Sequence, residues 1–345
     1  MPIVHVHVSV FEDLTFIGVT SSQVLFDAAG LHTLLSAWTR LLSGDNLDAI
    51  QGMGRNFTPF DVFHRRPNKT CTHVHGYSAV FDGPFSVPQE LSFAAHMQHW
   101  LRKEVNTLIR VPKAFLEEKR LEIVHDLKLD GSSEFPNTYD VLFAWWLKHN
   151  YSQRRRNDSK PVFVHIPVNL RPMPIFKDDS ALTQPYINNA SWTILVPEIT
   201  SVHGFRTESL GENSLRIRRA IKAYHRDFLP KMQEELRWRH KHPTIRLYRG
   251  LPYTEGPLLP DLHGPKFSDL DFSSAASLGG VSKGSGRVVF VTSGTRLEPH
   301  MPVGSHGTGA FLMEDADAFW MTQVRTKKDW DSLCAAGTIQ RLVLG

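Results

Sequence analysis

Between Thr20 and Gly30 the chain reads Thr-Ser-Ser-Gln-Val-Leu-Phe-Asp-Ala-Ala-Gly, and two of these side chains stand out chemically: the amide of Gln23 and the carboxylate of Asp27. An amide donates and accepts hydrogen bonds but has no titration near neutral pH, so Gln23 can orient a reactant and cannot take a proton from it. A carboxylate can hold a guanidinium through two parallel bonds, and ahead of a helix it can also cap the free amides of the first turn. Eighteen histidines offer conventional bases, among them His5, His7, His32, His203 and His300. Each reads as an ordinary surface or core histidine: His5 and His7 share a strand face, but no third ligand follows at a recognisable spacing, so no metal site is expected. The run Gly279-Gly280-x-x-x-Gly284-x-Gly286 lacks the Lys-Ser/Thr ending of a phosphate loop and leads into a strand, which makes it a glycine-rich hairpin. Cys71 and Cys334 supply neither a disulfide framework nor a four-ligand zinc set and read as ordinary thiols.

The elements that must position Gln23 and Asp27 are legible on both sides of them. Val4, Val6, Val8 and Val10 alternate with His5, His7 and Ser9, the period of a half-buried strand, and Leu14 to Val19 completes a hairpin. After Asp27, the spacing of Leu31, Leu34, Leu35, Trp38, Leu41 and Leu42 predicts an amphipathic helix that stops at Gly44. From about Gln51 to Pro88 neither period is sustained, which reads as a long connection. Helices are expected from Pro88 to about Asn106, from Pro112 to Leu127, from Asn137 through Leu147 and from Glu212 to roughly Lys241. Strands are expected at Thr107 to Val111, Val162 to Asn169, Ser191 to Val196, Arg287 to Ser293 and Gly309 to Val324. Helices and strands mixed without strict alternation favour an α/β sandwich of two layers or domains over a doubly wound sheet.

Composition narrows the function classes. At 345 residues and 41% hydrophobic content the chain has room for about two domains, which excludes intrinsic disorder and fibrous architectures. Lys and Arg exceed Asp and Glu only by 39 to 35, so the basic pI near 9.0 is not a nucleic-acid footprint. No uninterrupted apolar stretch approaches the ~20 residues of a membrane helix, and the amino terminus lacks the pattern of a secretory signal, so the expected location is cytoplasmic. Asn-x-Ser/Thr triplets at Asn56, Asn68, Asn150, Asn157 and Asn189 are read as chance.

The turn at residues 23 to 28 resembles the first signature of the BAHD acyltransferase family, in particular its fungal members, which carry His-x-x-x-Asp-Gly or His-x-x-x-Asp-Ala between a strand and a helix. The likeness continues through LHTLLSAWTRLLSG (Leu31 to Gly44), PNTYDVLFAWWLKHN (Pro136 to Asn150), HIPVNLRP (His165 to Pro172) and YINNAS (Tyr186 to Ser191). The last two are similar to the family's Asn-x-Arg strand and Tyr-x-Gly-Asn region. Phe267 to Ala275 (FSDLDFSSA) stands where the family has Asp-Phe-Gly-Trp-Gly.

This resemblance implies a two-domain α/β fold of the BAHD and chloramphenicol-acetyltransferase type, a mixed sheet sandwich. On that reading residues 1–50 form part of the first domain, which is expected to be incomplete, 51–105 are a crossover connection and 106–345 are the second domain. It implies acyl transfer from an acyl-CoA co-substrate, with no bound cofactor, to a small hydroxyl- or amine-bearing acceptor. Nucleic acid and membrane partners are not expected, and exposed strand edges at residues 2 to 10 invite self-association. Gln23 occupies the position of the family's general-base histidine, so the ~10²–10⁴-fold associated with such a base would be forfeited. Asp27 would pair with an arginine of the second domain, by motif position Arg171. Asp271 and Phe272 would begin the second signature loop, which holds loop shape rather than reacting. The basic residues Arg216, Arg218, Arg219, Lys222, Arg226, Arg237, Arg239 and Lys241 read as a solvated helix face, with CoA phosphates as the alternative for some of them. Two functions follow: an acyl-CoA-dependent O- or N-acyltransferase of fungal secondary metabolism, or a degenerate member that binds a small molecule or serves a different reaction.

Overall fold

The computed structural model describes residues 4–21, 25–50, 57–61, 77–82, 104–127, 135–152, 154, 157–159, 162, 164–174, 176, 181–182, 184–196, 201–223, 232, 245–249, 264–276, 286–292, 309–335 and 340–342. They belong to two compact units, each assembled from separated stretches of chain. The first draws on Met1–Val62, Val168–Trp192 and Leu262–Val291, and the second on Phe63–Pro167, Thr193–Asp261 and Thr292–Gly345. The sequence led us to expect consecutive blocks divided at 50 and 105; the contacts instead interleave.

The first unit opens with β1 (Val4–Val10) and β2 (Thr15–Ser21), an antiparallel pair in register from Val4 opposite Ser21 to Val10 opposite Thr15. The strands form as the alternation predicts, but the expected half-burial does not hold: Val6, Val8 and Val10 are 43%, 49% and 76% exposed. β-branched side chains fit the pleat whether or not a layer covers them, so the period reveals the strand and not its burial. The helix α1 (Ala28–Leu42) follows, one turn earlier than the leucine spacing alone indicates, because Asp27 caps it. Leu35 and Thr39 are its buried positions besides Gly30.

In the second unit β4 (Glu104–Pro112) lies between β10 (Gln340–Leu342) and β9 (Ala318–Thr326), with β8 (Gly309–Glu314) beyond, all neighbours antiparallel. Helices α2 (Lys113–Asp126) and α3 (Thr138–Tyr151) pack with this sheet around Ile109, Leu116, Val141, Trp146, Met321 and Trp330. Every residue of α3 from Asp140 to Leu147 is buried. A helix apolar all round has no stripe to orient it, and its polar ends do that work. Asn137 and Asp140 close a reciprocal capping box, both bonds 2.8 Å. At the far end Arg325 of β9, 2% exposed, donates to the carbonyl of His149 at 3.1 Å and to Asn150 Oδ1 at 2.7 Å. Lys148 reaches the carbonyls of Phe205, Arg206 and Glu208, the last turn and cap of α4 (Val202–Thr207). The short helix α5 (Lys327–Ala335) follows β9 and seats Trp330 in the core.

Several expectations are corrected here. Within the presumed connection, β3 (Tyr77–Asp82) pairs antiparallel with β7 (Ile245–Arg249), and a register irregularity between Ala79 and Phe81 accounts for the missing alternation. The helix expected up to Asn106 gives way at Glu104 to β4, while residues 88–103 lie outside the described residues. Arg287 forms a single bridge to Asp271 instead of opening a strand. Of the long basic helix, 210–223 and Met232 are helical and the intervening residues lie outside the described set. The strands β5 (Val164–Asn169) and β6 (Ser191–Val196) pair as a two-stranded sheet.

Candidate functional site

Everything around Asp27 follows from the chain reversing between a hairpin and a helix. Its backbone is extended, which frees the side chain to turn back over the first turn of α1, where Oδ1 accepts from Gly30 N at 2.7 Å. The same carboxylate takes a second bond on each oxygen from distant chain. Arg171 Nη2 donates to Oδ1 at 2.8 Å, Arg171 Nη1 to Oδ2 at 2.9 Å, and the amide of Ala190 to Oδ2 at 2.8 Å. A carboxylate has about four lone-pair sites, and all four are filled. Only 11% of the Asp27 side chain and 14% of that of Arg171 is exposed.

Arg171 is equally complete. Its Nε donates to the carbonyl of Tyr186 at 2.8 Å, Nη1 also to Asn169 Oδ1 at 3.1 Å, and Nη2 also to the carbonyl of Asn188 at 2.8 Å, so five N–H groups make five bonds. The guanidinium lies over the Tyr186 ring, 5.8 Å from its centroid. Burial pushes the Tyr186 phenol up from its ordinary value. Asn169 and Arg171 are placed by the end of β5, and Ala190 by the start of β6. Where the two strands leave off, Leu170 N donates to the Ala190 carbonyl at 2.9 Å. One further bond, Asn189 N to the Leu25 carbonyl at 2.8 Å, fastens the segment ahead of Asp27 to the same loop.

The expected Asp27–Arg171 pair is thus present as a bidentate ion pair, and both residues fall in the same compact unit, although the sequence placed Arg171 in a second domain. With four donors on its two oxygens, Asp27 ties the head of α1 to Arg171 and Ala190. Gln23 lies outside the described residues.

The second signature loop is described nearly whole. Asp271 Oδ1 accepts from the Ser273 amide at 2.8 Å and from the Ser273 hydroxyl, and Ser273 Oγ in turn accepts from Gly286 N at 3.1 Å. The Ser273 hydrogen bonds hold the Asp271 carboxyl below the usual carboxylate range. Phe272 meets Trp38 of α1 edge-on at 5.4 Å, and its amide donates to the Gly286 carbonyl at 2.8 Å. A methyl group at residue 286 would run into the backbone of Phe272 and Ser273. Here the chain opposite, not the loop's own Ser273-Ser274-Ala275, supplies the glycine that lets two backbones touch.

None of the remaining candidates is among the four donors to Asp27. His32, on α1, meets Phe267 edge-on at 5.4 Å; its Nε2 is buried and has no hydrogen-bond partner among the described residues, and burial pushes the imidazole below its ordinary value against the opposing charge of Asp269. His5 and His7 are exposed on β1, His203 is exposed on α4, and His300 and Cys71 lie outside the described residues. Among the described residues no group of three His, Cys, Asp or Glu side chains could hold a metal ion, and none of the helices is long and apolar enough to cross a membrane. Cys334 is a free thiol. The basic stretch is less solvated than expected: Arg216 pairs with Glu208 at 3.1 Å and Arg218 approaches Asp140 at 3.7 Å, while Arg226, Arg237, Arg239 and Lys241 lie outside the described residues. Sequence reasoning passed over Gly30 and the amide of Ala190. A glycine in the first turn of a helix was the only sign of the former, and a backbone donor leaves no sign at all.

These features define a fold of the BAHD type. Superposition bears this out: TRI101 of F. graminearum, solved with coenzyme A and deoxynivalenol, aligns over 99% of this chain and 70% of its own with a TM-score of 0.69 at 14% identity. Vinorine synthase aligns over 95% and 63% with a TM-score of 0.57 at 16% identity. No protein-family model matches the chain. Acetyltransferase adrJ of Penicillium rubens is 28% identical over 223 residues, 63% of this chain and 43% of adrJ, and acetyltransferase pyiB of Pyricularia grisea is 24% identical over 295 residues, 79% and 50%. The chain therefore has the BAHD-type fold, and its sequence is similar to those of the two acetyltransferases. The chain spans about half the length of these curated relatives.

Proposed function

We propose that this chain takes part in acyl transfer from an acyl-CoA thioester to a small alcohol or amine, in fungal secondary metabolism. The observation that carries the reading is the saturated Asp27–Arg171 ion pair at the strand-to-helix turn, in a fold shared with TRI101, which was solved with coenzyme A. Such a turn holds a short stretch of backbone rigidly, which is what transfer between two bound reactants requires of the protein. Asp27 supplies position and Gln23 supplies at most a hydrogen bond, so the chain's own residues offer orientation rather than proton abstraction at this turn.

Gln23 itself favours a second reading, in which the chain binds a thioester or another small molecule and transfers slowly or not at all. Acetyl-CoA with a panel of alcohols and amines, assayed for the native protein and for Gln23→His, separates the two. A gain of about 10²-fold or more in Gln23→His supports the transferase lineage with a lost base. Equal turnover by both shows that residue 23 is not the base position. A thermal shift with coenzyme A measures binding on its own, since a ligand selective for the folded state raises its stability. No shift in either protein rejects the acyl-CoA reading.

A further inference from the structure

Asp27 and Arg171 can close on one another only if α1 comes close enough to the 186–190 loop, and that approach is controlled by a third residue. A methyl group added at Gly30 would overlap the carbonyl oxygen of Ile187, lie 2.8 Å from its carbonyl carbon and 3.2 Å from Arg171 Nη2. The obstacle is backbone, and it is held in place. On one side of Ile187 the Tyr186 carbonyl accepts from Arg171 Nε, on the other the Asn188 carbonyl accepts from Nη2, and the next amide, of Asn189, is bonded to Leu25. Gly30 also offers its own amide to Asp27 Oδ1. Helix formation argues against glycine here, since alanine is favoured by about 1 kcal/mol in a helix interior. The residue is explained by contact and not by propensity.

We infer that Gly30 is a positioning residue: by carrying no side chain it lets α1 seat against Ile187, and so fixes the Leu25–Asp27 segment that follows Gln23. Its bearing on turnover rests on the acyl-transfer reading above; its effect on the ion pair does not.

The test compares Gly30→Ala with Gly44→Ala. Gly44 has a φ of 91° and, among the described residues, nothing within 4 Å of an added methyl, so alanine there strains the backbone without touching the ion pair. In the Gln23→His background, Gly30→Ala is expected to lower kcat about a hundredfold, as a misplacement near 1 Å does, while the coenzyme A thermal shift persists. Gly44→Ala should lower Tm and leave kcat alone. Unchanged kcat in Gly30→Ala, or equal losses in both variants, overturns the inference. Stability gives a readout independent of activity: adding Asn188→Gly, which loosens the peptide after Ile187, should recover Tm or soluble yield lost in Gly30→Ala and should not help Gly44→Ala. No recovery overturns the inference even if transfer is never detected. Absence of any coenzyme A shift in the native protein rejects the acyl-transfer reading while the stability comparison still decides the role of Gly30.

Discussion

Nη2 of Arg171 stands 2.8 Å from Oδ1 of Asp27 and 2.8 Å from the carbonyl oxygen of Asn188, so one nitrogen joins the head of α1 to the loop before β6. The residues joined are 144 positions apart. Arg171→Lys keeps the charge and loses the fork, and Arg171→Ala leaves a carboxylate with little solvent around it. We expect Arg171→Ala to cost about 3 kcal/mol, in the range for breaking a buried pair from one side, with Arg171→Lys intermediate. Urea unfolding checks this; a loss under 1 kcal/mol for Arg171→Ala would show the pair to be dispensable.

Arg325 presents a different balance. Its guanidinium takes neutral oxygens from Gln323, His149 and Asn150 and lies 5.9 Å from the Trp330 ring, and burial brings it down to about 10 against the opposing charge of Asp329. Arg325→Ala should destabilise the second unit by about 3 kcal/mol, because buried oxygens at the end of α3 lose their donors. Tryptophan fluorescence during denaturation would report it; an unchanged midpoint would mean that the oxygens find other donors.

Acid should weaken the protein through its buried imidazoles. Burial depresses His149, which bonds the Trp145 carbonyl at 2.7 Å and packs on the Trp145 ring, and it depresses His32 too. Below the unfolded value of 6.5 the unfolded chain binds protons that the folded chain refuses. Stability is therefore full above 6.5, falls as pH drops from there, and levels off below the folded values. Replacing either residue, as His32→Gln or His149→Asn, should flatten the slope between pH 6.5 and 5. Midpoint-against-pH curves parallel to the native one would disprove it.

Ser273 ties Asp271 to Gly286, and Ser273→Ala removes one bond to each. We expect a lowered Tm and easier proteolysis in the 271–276 segment. Limited digestion with unchanged cleavage there would contradict it.

How much of this was readable beforehand depends on where each feature is encoded. The hairpin and α1 sit in local patterns, alternating valines and leucines at helical spacing, whereas the Asp27–Arg171 pair was implied by the family resemblance of the turn and of Asn-Leu-Arg at 169–171. The burial of β1 was misjudged because exposure is set by what covers a strand. β3 was missed because its ladder with β7 breaks register at Ala79. The basic residues Arg216 and Arg218 looked solvated until Glu208, just ahead of their helix, and Asp140, distant in sequence, came beside them. Gly30 and the Ala190 amide act through contacts with no local signature.

The interleaving of the units bears on how the chain emerges from a ribosome. Asp27 is synthesised well before its last partner, the Ala190 amide, which lies 163 positions downstream, and Leu262–Val291 completes the same unit later still. Closing such a span costs entropy before any contact repays it, so α1 stays unfinished until the Ala190 segment has emerged. Neither unit can be excised as a contiguous fragment, and a nascent chain halted before residue 171 would leave the Asp27 carboxylate with only its bond from Gly30, where the finished protein adds those from Arg171 and Ala190.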